Sequence, residues 1–191
     1  MRLFVAVEIA PDVVAAVVEL IARLQQRAKR LAPKAHLTWV TTERIHVTVR
    51  FIGQVEPAKA DAICEALASP LDVPPFDVTV ACAGTFPAKG PPRVVWAGLR
   101  NGRDGLVSIE KEVTARLARL GFEAEDRPYN PHLTLARVRE AAGLKSAALL
   151  DGISETSLGV SPVRAITLFE SRLSPKGPTY VPMQRTALSP A

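Results

Sequence analysis

His46 and His132 each begin a four-residue pattern in which threonine alternates with aliphatic residues, HVTV in the first half of the chain and HLTL in the second. In an extended strand, successive side chains point to opposite faces, so each histidine shares a face with its threonine. Imidazole has an ordinary pKa of about 6.5 and serves as acid or base near neutral pH. The two patterns therefore predict a pair of acid–base groups on polar strand faces.

Opening a cyclic phosphate needs a base that activates water and an acid that protonates the departing ribose oxygen. Hydroxyl groups at Thr48 and Thr134 would donate hydrogen bonds to the non-bridging phosphate oxygens. This chemistry requires no metal or cofactor. A zinc site is the weaker alternative, because neither histidine lies in an H-E-x-x-H pattern or near paired cysteines.

The surrounding elements are predicted from hydrophobic periodicity and turn residues. Helices are expected at 11–31, 58–68, 106–120 and 142–151, and strands at 2–8, 37–40, 45–52, 76–82, 93–99, 132–138, 162–170 and 179–185. Many neighbouring strands are joined by short connections. The pattern favours an α+β fold with a mainly antiparallel sheet.

The net charge of +5 favours a polyanionic partner, either nucleic acid or a phosphorylated metabolite. Cys64 and Cys82 are predicted to be small buried side chains without a disulfide, which indicates a reducing compartment. Charged residues interrupt the apolar N-terminal segment, so a buried strand is favoured over a signal peptide. No stretch approaches the ~20 apolar residues of a membrane span. The expected location is the cytoplasm.

The sequence resembles the 2H phosphoesterase superfamily and, within it, the RNA 2′,3′-cyclic phosphodiesterases, also called 2′-5′ RNA ligases. The resemblance lies in five segments: RLFVAVEI, HVTVRFIG, RVVWAGL, RPYNPHLTLAR and ITLFESRLSPKGPTY. It implies that residues 1–191 form a single bilobal domain, with two pseudo-twofold-related lobes around a central cleft. It also implies hydrolysis of RNA 2′,3′-cyclic phosphate ends to 2′-phosphomonoesters, and a related activity that joins RNA ends through a 2′-5′ bond.

The resemblance also implies residue roles. His132 is the base toward water, and His46 is the acid toward the 3′ oxygen. Arg137 matches a position that contacts phosphate or nucleotide, and Phe51 has the equivalent offset after His46, where an aromatic ring stacks on a base. Strict alternation would turn both away from the cleft, so a bulge or twist must reorient them, or they are structural.

Arg50 has the strand parity of His46 and is a further candidate for substrate binding. His36 is interpreted as lying outside any motif and is expected in a loop or on the surface.

Two other functions stay open. The same site could act on cyclic phosphates of small nucleotides, including ADP-ribose derivatives, or the chain could bind RNA ends without chemistry. Fragments of transfer RNA, intron ends and decay products all have suitable termini. The chain is taken as a monomer by default.

Overall fold

The computed structural model describes residues 1–153, 155–175 and 177–189, and nine strands and four α-helices lie within these ranges. The strands are β1 Arg2–Glu8, β2 His36–Trp39, β3 His46–Gln54, β4 Phe76–Phe86, β5 Val94–Asn101, β6 Leu133–Glu140, β7 Ser157–Val163, β8 Ala165–Arg172 and β9 Thr179–Ala187. The helices are α1 Pro11–Leu31, α2 Pro57–Ala66, α3 Arg103–Ala118 and α4 Ser146–Leu150, with a short 3₁₀ helix at Thr42–Arg44.

The strands form an antiparallel sheet in the order β7-β4-β5-β6-β3-β1-β8-β9, and β2 pairs with the far half of β6. The order is symmetric about the contact between β3 and β6. On one side β3 is followed by β1, β8 and β9, which we call the His46 lobe. On the other side β6 is followed by β5, β4 and β7, which together with β2 we call the His132 lobe. The predicted bilobal α+β fold with mainly antiparallel strands is confirmed.

Helix α1 connects the two lobes. Pro11 occupies its first turn, where the missing N–H costs no hydrogen bond, and Lys29 and Arg30 complement the helix dipole in its last turn. Its apolar face, which includes the buried Val17 and Leu24, packs on β7 and α4 of the other lobe. Each such fully buried aliphatic side chain contributes about 1.5–3 kcal/mol.

Helix α3 makes the reciprocal crossing. It follows β5 of the His132 lobe and packs on β3 of the His46 lobe, burying Leu106, Ile109, Val113 and Leu117. Each long helix therefore packs against the lobe that its preceding strand does not belong to. This exchange holds the two lobes together and fixes the central contact between β3 and β6.

The strand predicted over 162–170 is two strands in the structure. β7 ends at Val163 and pairs with β4, whereas β8 begins at Ala165 and pairs with β1. Between them, Arg164 donates a hydrogen bond to the carbonyl of Phe76 at 3.1 Å. The chain passes from one lobe to the other at this residue. A continuous apolar run does not reveal such a change of partner.

Candidate active site

The two H-x-T triplets, 46–48 and 132–134, meet where the lobes touch. β3 and β6 pair at Val47 and Leu133, the middle residues of the triplets, and both side chains are fully buried. Antiparallel pairing places each histidine opposite the threonine of the other triplet. All four polar side chains point to the face away from Val47 and Leu133. The two histidines are diagonal neighbours, a relation in which Cα atoms lie roughly 7–8 Å apart and Cβ atoms somewhat closer.

Backbone carbonyls hold both imidazole rings in the same tautomer. His132 Nδ1 lies 2.7 Å from the carbonyl oxygen of Asn130, which can only accept, so Nδ1 donates. The ring of His46 makes the matching hydrogen bond to the backbone of Arg44, also two residues earlier. Nε2 of His46 lies 3.0 Å from Thr48 Oγ1. In both rings, Nε2 is therefore the nitrogen left to exchange a proton with a substrate.

The histidine pKa values are lowered in the site. Burial lowers the pKa of His46 to about 4, with the hydrogen bond to Arg44 acting in the opposite direction and repulsion from His132 adding to the decrease. Burial also lowers the pKa of His132, opposed by the hydrogen bond to Asn130 and assisted by the charge of Arg137. Both rings are thus neutral at pH 7 without a ligand. An anionic phosphate beside them would favour the protonated form.

Tyr129 links the segment before His132 to β3. Its hydroxyl donates a hydrogen bond to the carbonyl of Thr48 at 3.0 Å. Burial raises the pKa of this phenol, which keeps it protonated as a donor. Arg103 on α3 donates to Asn130 Oδ1 at 2.9 Å and fixes the same segment from the other side. These contacts set the position from which the ring of His132 projects.

A β-bulge follows the threonine in both triplet strands. The extra residue is Val49 in β3 and Leu135 in β6. One extra residue reverses the alternation beyond it, so Phe51 and Arg137 point to the face that carries the histidines. Both side chains are exposed. The bulge that their predicted roles require is present at matching places, and contact with substrate stays a prediction for both.

The same bulge turns Arg50 to the opposite face. Its side chain is 4% exposed and lies 4.0 Å from Glu110 and 3.4 Å from Thr114 on α3, and it donates to the carbonyl of Glu123. A group held there cannot reach the cleft. The prediction that Arg50 binds substrate is wrong, because it relied on uninterrupted alternation.

Aromatic rings surround His46, and among them only Phe51 was a predicted site residue. The rings of Phe4 and Tyr180 have centroids 5.2 and 5.4 Å from the His46 ring and 4.8 Å from each other. Phe51 extends the group at 6.3 Å from Phe4, and Phe169 stacks on Phe4 at 5.4 Å. These four residues form the His46 aromatic cluster. Tyr180 comes from the far end of the chain, and only its place in the GPTY segment signalled it.

A smaller aromatic group adjoins His132. Phe86 meets the His132 ring edge-on at 5.2 Å and stacks on Trp96 at 5.1 Å. The indole of Trp96 lies across Gly84 so closely that no side chain fits there. Glycine at this position therefore allows the large ring to lie flat on the sheet.

The chain matches the family model described as LigT-like phosphoesterase over residues 12–96 and 99–180, which include both triplets. The chain belongs to this phosphoesterase family. It is similar to the RNA 2′,3′-cyclic phosphodiesterase of Methanocaldococcus jannaschii, with 34% identity over 181 residues that cover 94% of this chain and 96% of the relative.

Two similar solved structures have the same fold. TT0787 of Thermus thermophilus has a TM-score of 0.76 at 27% identity, covering 98% of both chains. Escherichia coli LigT in complex with 3′-AMP has a TM-score of 0.74 at 27% identity, again covering 98% of both chains. The predicted resemblance to the 2H phosphoesterases is confirmed.

The prediction that His36 lies outside any motif is wrong, because residues 36–38 form a third H-x-T triplet. It is the first residue of β2 and is exposed, as expected. The triplet lies beside the far half of β6, where Thr38 pairs with Arg137. An H-x-T triplet alone therefore does not identify a strand of the central pair in this phosphoesterase.

Some further predictions concern groups outside the central face. Cys64 and Cys82, predicted to be buried, are half-buried free thiols. Among the described residues, no three His, Cys, Asp or Glu side chains are grouped so as to hold a metal ion. The helices within 1–153, 155–175 and 177–189 include none with the length and apolarity needed to span a bilayer.

Proposed function

We propose that this phosphoesterase hydrolyses 2′,3′-cyclic phosphate ends of RNA to 2′-phosphomonoesters, with His46 and His132 as the acid and base. The observation that carries the proposal is the pairing of Val47 with Leu133, which places both H-x-T triplets on one polar face. Relatives with the name RNA 2′,3′-cyclic phosphodiesterase, such as the one from M. jannaschii, support the same substrate.

The reaction is an in-line displacement at phosphorus. Water attacks the phosphorus while its proton passes to His132 Nε2, and the bond between phosphorus and O3′ breaks. His46 Nε2 donates a proton to the departing O3′, so the phosphate stays on O2′. The products are a 3′-hydroxyl and a 2′-phosphomonoester, and one water has been consumed. Proton exchange with solvent restores the two imidazoles.

The side chains next to the histidines would hold the substrate. Thr48 and Thr134 donate hydrogen bonds to the non-bridging oxygens, where negative charge is held through the transition state. Arg137 attracts the phosphate, and Phe51 stacks on a base. The lowered pKa values of both histidines imply that the acid gains its proton as the anionic substrate binds.

The 2′-5′ joining reaction would use the same groups. A 5′-hydroxyl of a second RNA takes the place of water, and departure of O3′ then leaves a 2′-5′ phosphodiester. The proposal treats residues 1–191 as a single bilobal catalytic domain, acting as a monomer in the cytoplasm on cyclic RNA ends that include transfer RNA fragments. The absence of a resident metal or cofactor is part of the proposal.

The test is to incubate the protein and a chelator with an oligonucleotide ending in a 2′,3′-cyclic phosphate and to identify the product terminus. The expected product carries a 2′-phosphate, and the His46→Ala/His132→Ala double variant forms none. A 3′-phosphate product would contradict the proposed bond cleavage. A complete loss of turnover with chelator would contradict metal-independent chemistry.

A small-nucleotide substrate is the second candidate. The similar E. coli LigT structure is a complex with 3′-AMP, which supports a mononucleotide as the substrate. Equal or better kcat/KM on a 2′,3′-cyclic mononucleotide than on the oligonucleotide would favour this candidate. Salt-sensitive RNA binding that persists in the double variant, with no product from the native protein, would instead indicate a binding module.

A further inference from the structure

We propose that the RNA chain leaves the cyclic end past Arg137 and along β2 and the far half of β6, where His36, Thr38 and Arg139 bind its backbone phosphates. We call His36, Thr38 and Arg139 the chain subsite. The inference rests on the proposed function and adds a second binding region to that site. It predicts that the protein prefers RNA ends to mononucleotides because of contacts outside the central face.

The polar face of the triplets continues into this region. The bulge at Leu135 turns Arg137 to the face that carries the histidines. Thr38 lies directly opposite Arg137, so its side chain shares that face. A second irregularity brings Arg139 and Glu140 together opposite His36.

The other face of the same strands is apolar. Leu37 and Val138 pair with each other and pack against the core, whereas all three side chains of the chain subsite are exposed. The alternation is therefore that of a sheet with one buried face and one solvated face.

An open groove follows the edge of this surface. It is lined by Ala35, His36, Leu37, Thr38, Arg139 and Glu140. With a strand rise of about 3.3 Å per residue, Arg139 lies roughly 15 Å along β6 from Thr134. That length suits several nucleotides of an extended strand rather than the terminal nucleotide alone.

Charge also favours this direction for the chain. Among the described side chains, none forms an ion pair with Arg137 or Arg139, so both guanidinium groups are available to phosphate. On the other lobe, the exposed carboxylate of Glu8 lies directly opposite His46. A phosphate backbone would be repelled there. Glu140 is a carboxylate within the groove and weakens the subsite.

The test measures kcat/KM for a cyclic-ended oligonucleotide and for a 2′,3′-cyclic mononucleotide, and takes their ratio. Arg139→Ala should lower this ratio about tenfold, the loss of one charged hydrogen-bonding contact. Glu140→Gln should raise it about twofold by removing a repulsive charge. Arg119→Ala is the matched control, because it removes the same charge from an exposed position at the end of α3.

Binding provides a readout that does not depend on turnover. Fluorescence anisotropy with an oligonucleotide ending in a 2′-phosphate should show a salt slope smaller by about 0.7 in Arg139→Ala than in the native protein. A ratio and a slope that stay unchanged in Arg139→Ala would overturn the subsite, as would an equal decrease in Arg119→Ala. If the native protein turns over neither substrate, the proposed function fails, while the salt slopes still decide the subsite.

Discussion

His46 and His132 lie at matching positions, each three residues before the extra residue of the bulge in its own strand, but different groups surround them. Around His46 the neighbours are aromatic rings, and Phe51 continues them beyond the bulge. Beside His132 the matching position is Arg137, whose charge adds to the lowering of the pKa of that histidine by burial. The repeated backbone thus supplies two acid–base groups on one face. The unequal side chains make that face asymmetric. The side near His46 is apolar and suits a nucleotide base, and the side near His132 is positive and suits phosphate.

The largest expected effect separates the two histidines by role. His46→Ala and His132→Ala should each lower kcat/KM by about 10²–10⁴-fold. A substrate with sulfur in place of the bridging O3′ has a leaving group that needs no proton. This sulfur-containing substrate should restore much of the activity of His46→Ala and little of the activity of His132→Ala. The measurement is kcat/KM of each variant for the sulfur-containing and the ordinary substrate.

Circular dichroism of each variant is the folding control for this comparison. If the sulfur-containing substrate rescued His132→Ala and not His46→Ala, His132 would be the acid and His46 the base. Equal rescue of both variants would show that the symmetric backbone leaves the roles interchangeable.

Arg50 and Arg137 distinguish a charge that stabilises the fold from a charge that faces the cleft. Arg50→Ala should lower the free energy of unfolding by about 3 kcal/mol, because it leaves Glu110 partly buried without its cation. Arg137→Ala should change it by less than about 0.5 kcal/mol, as expected for an exposed side chain. Urea denaturation measures both, and a loss in Arg137→Ala as large as in Arg50→Ala would contradict the assigned faces.

Acid should destabilise the protein through His46. Its pKa is about 4 in the folded protein and about 6.5 when unfolded, so the unfolded chain takes up the proton first as the pH falls. The free energy of unfolding that depends on neutral His46 is fully present above pH 6.5 and is lost between about pH 6.5 and 4. The loss is on the order of 3 kcal/mol. Between these two pH values, the free energy of unfolding of His46→Gln should decrease by about 3 kcal/mol less than that of the native protein. Urea denaturation at pH 6.5 and at pH 4 measures both decreases. Identical pH dependence in the two proteins would show that His46 is not the buried group described.

The smallest expected effect concerns the apolar side of the cleft. Phe51→Ala should raise KM for a cyclic-ended oligonucleotide about tenfold, near the lower end of what base stacking contributes, and leave kcat nearly unchanged. Phe51→Trp keeps a stacking surface and should retain the native KM. An increase in KM in Phe51→Trp equal to that in Phe51→Ala would contradict stacking.

Local periodicity was sufficient to predict much of this phosphoesterase. Alternation in HVTV and HLTL placed the histidines and threonines on polar strand faces, and helical spacing predicted α1. These features depend on neighbours within a few residues, so they can be read from the chain alone. The adjacent apolar residues Leu135 and Ala136 also break a strict alternation, which is the sequence sign of the bulge in β6.

What the sequence determined by itself is the chemistry of the site: two imidazoles and two hydroxyls on amphipathic strands. Only the tertiary structure decided which side chains join them. A bulge is a mismatch between two paired strands, so one strand alone could not show that Phe51 and Arg137 face the histidines while Arg50 is buried under α3. Tyr180 likewise reaches His46 through the pairing of distant strands, which is set by packing of the whole core.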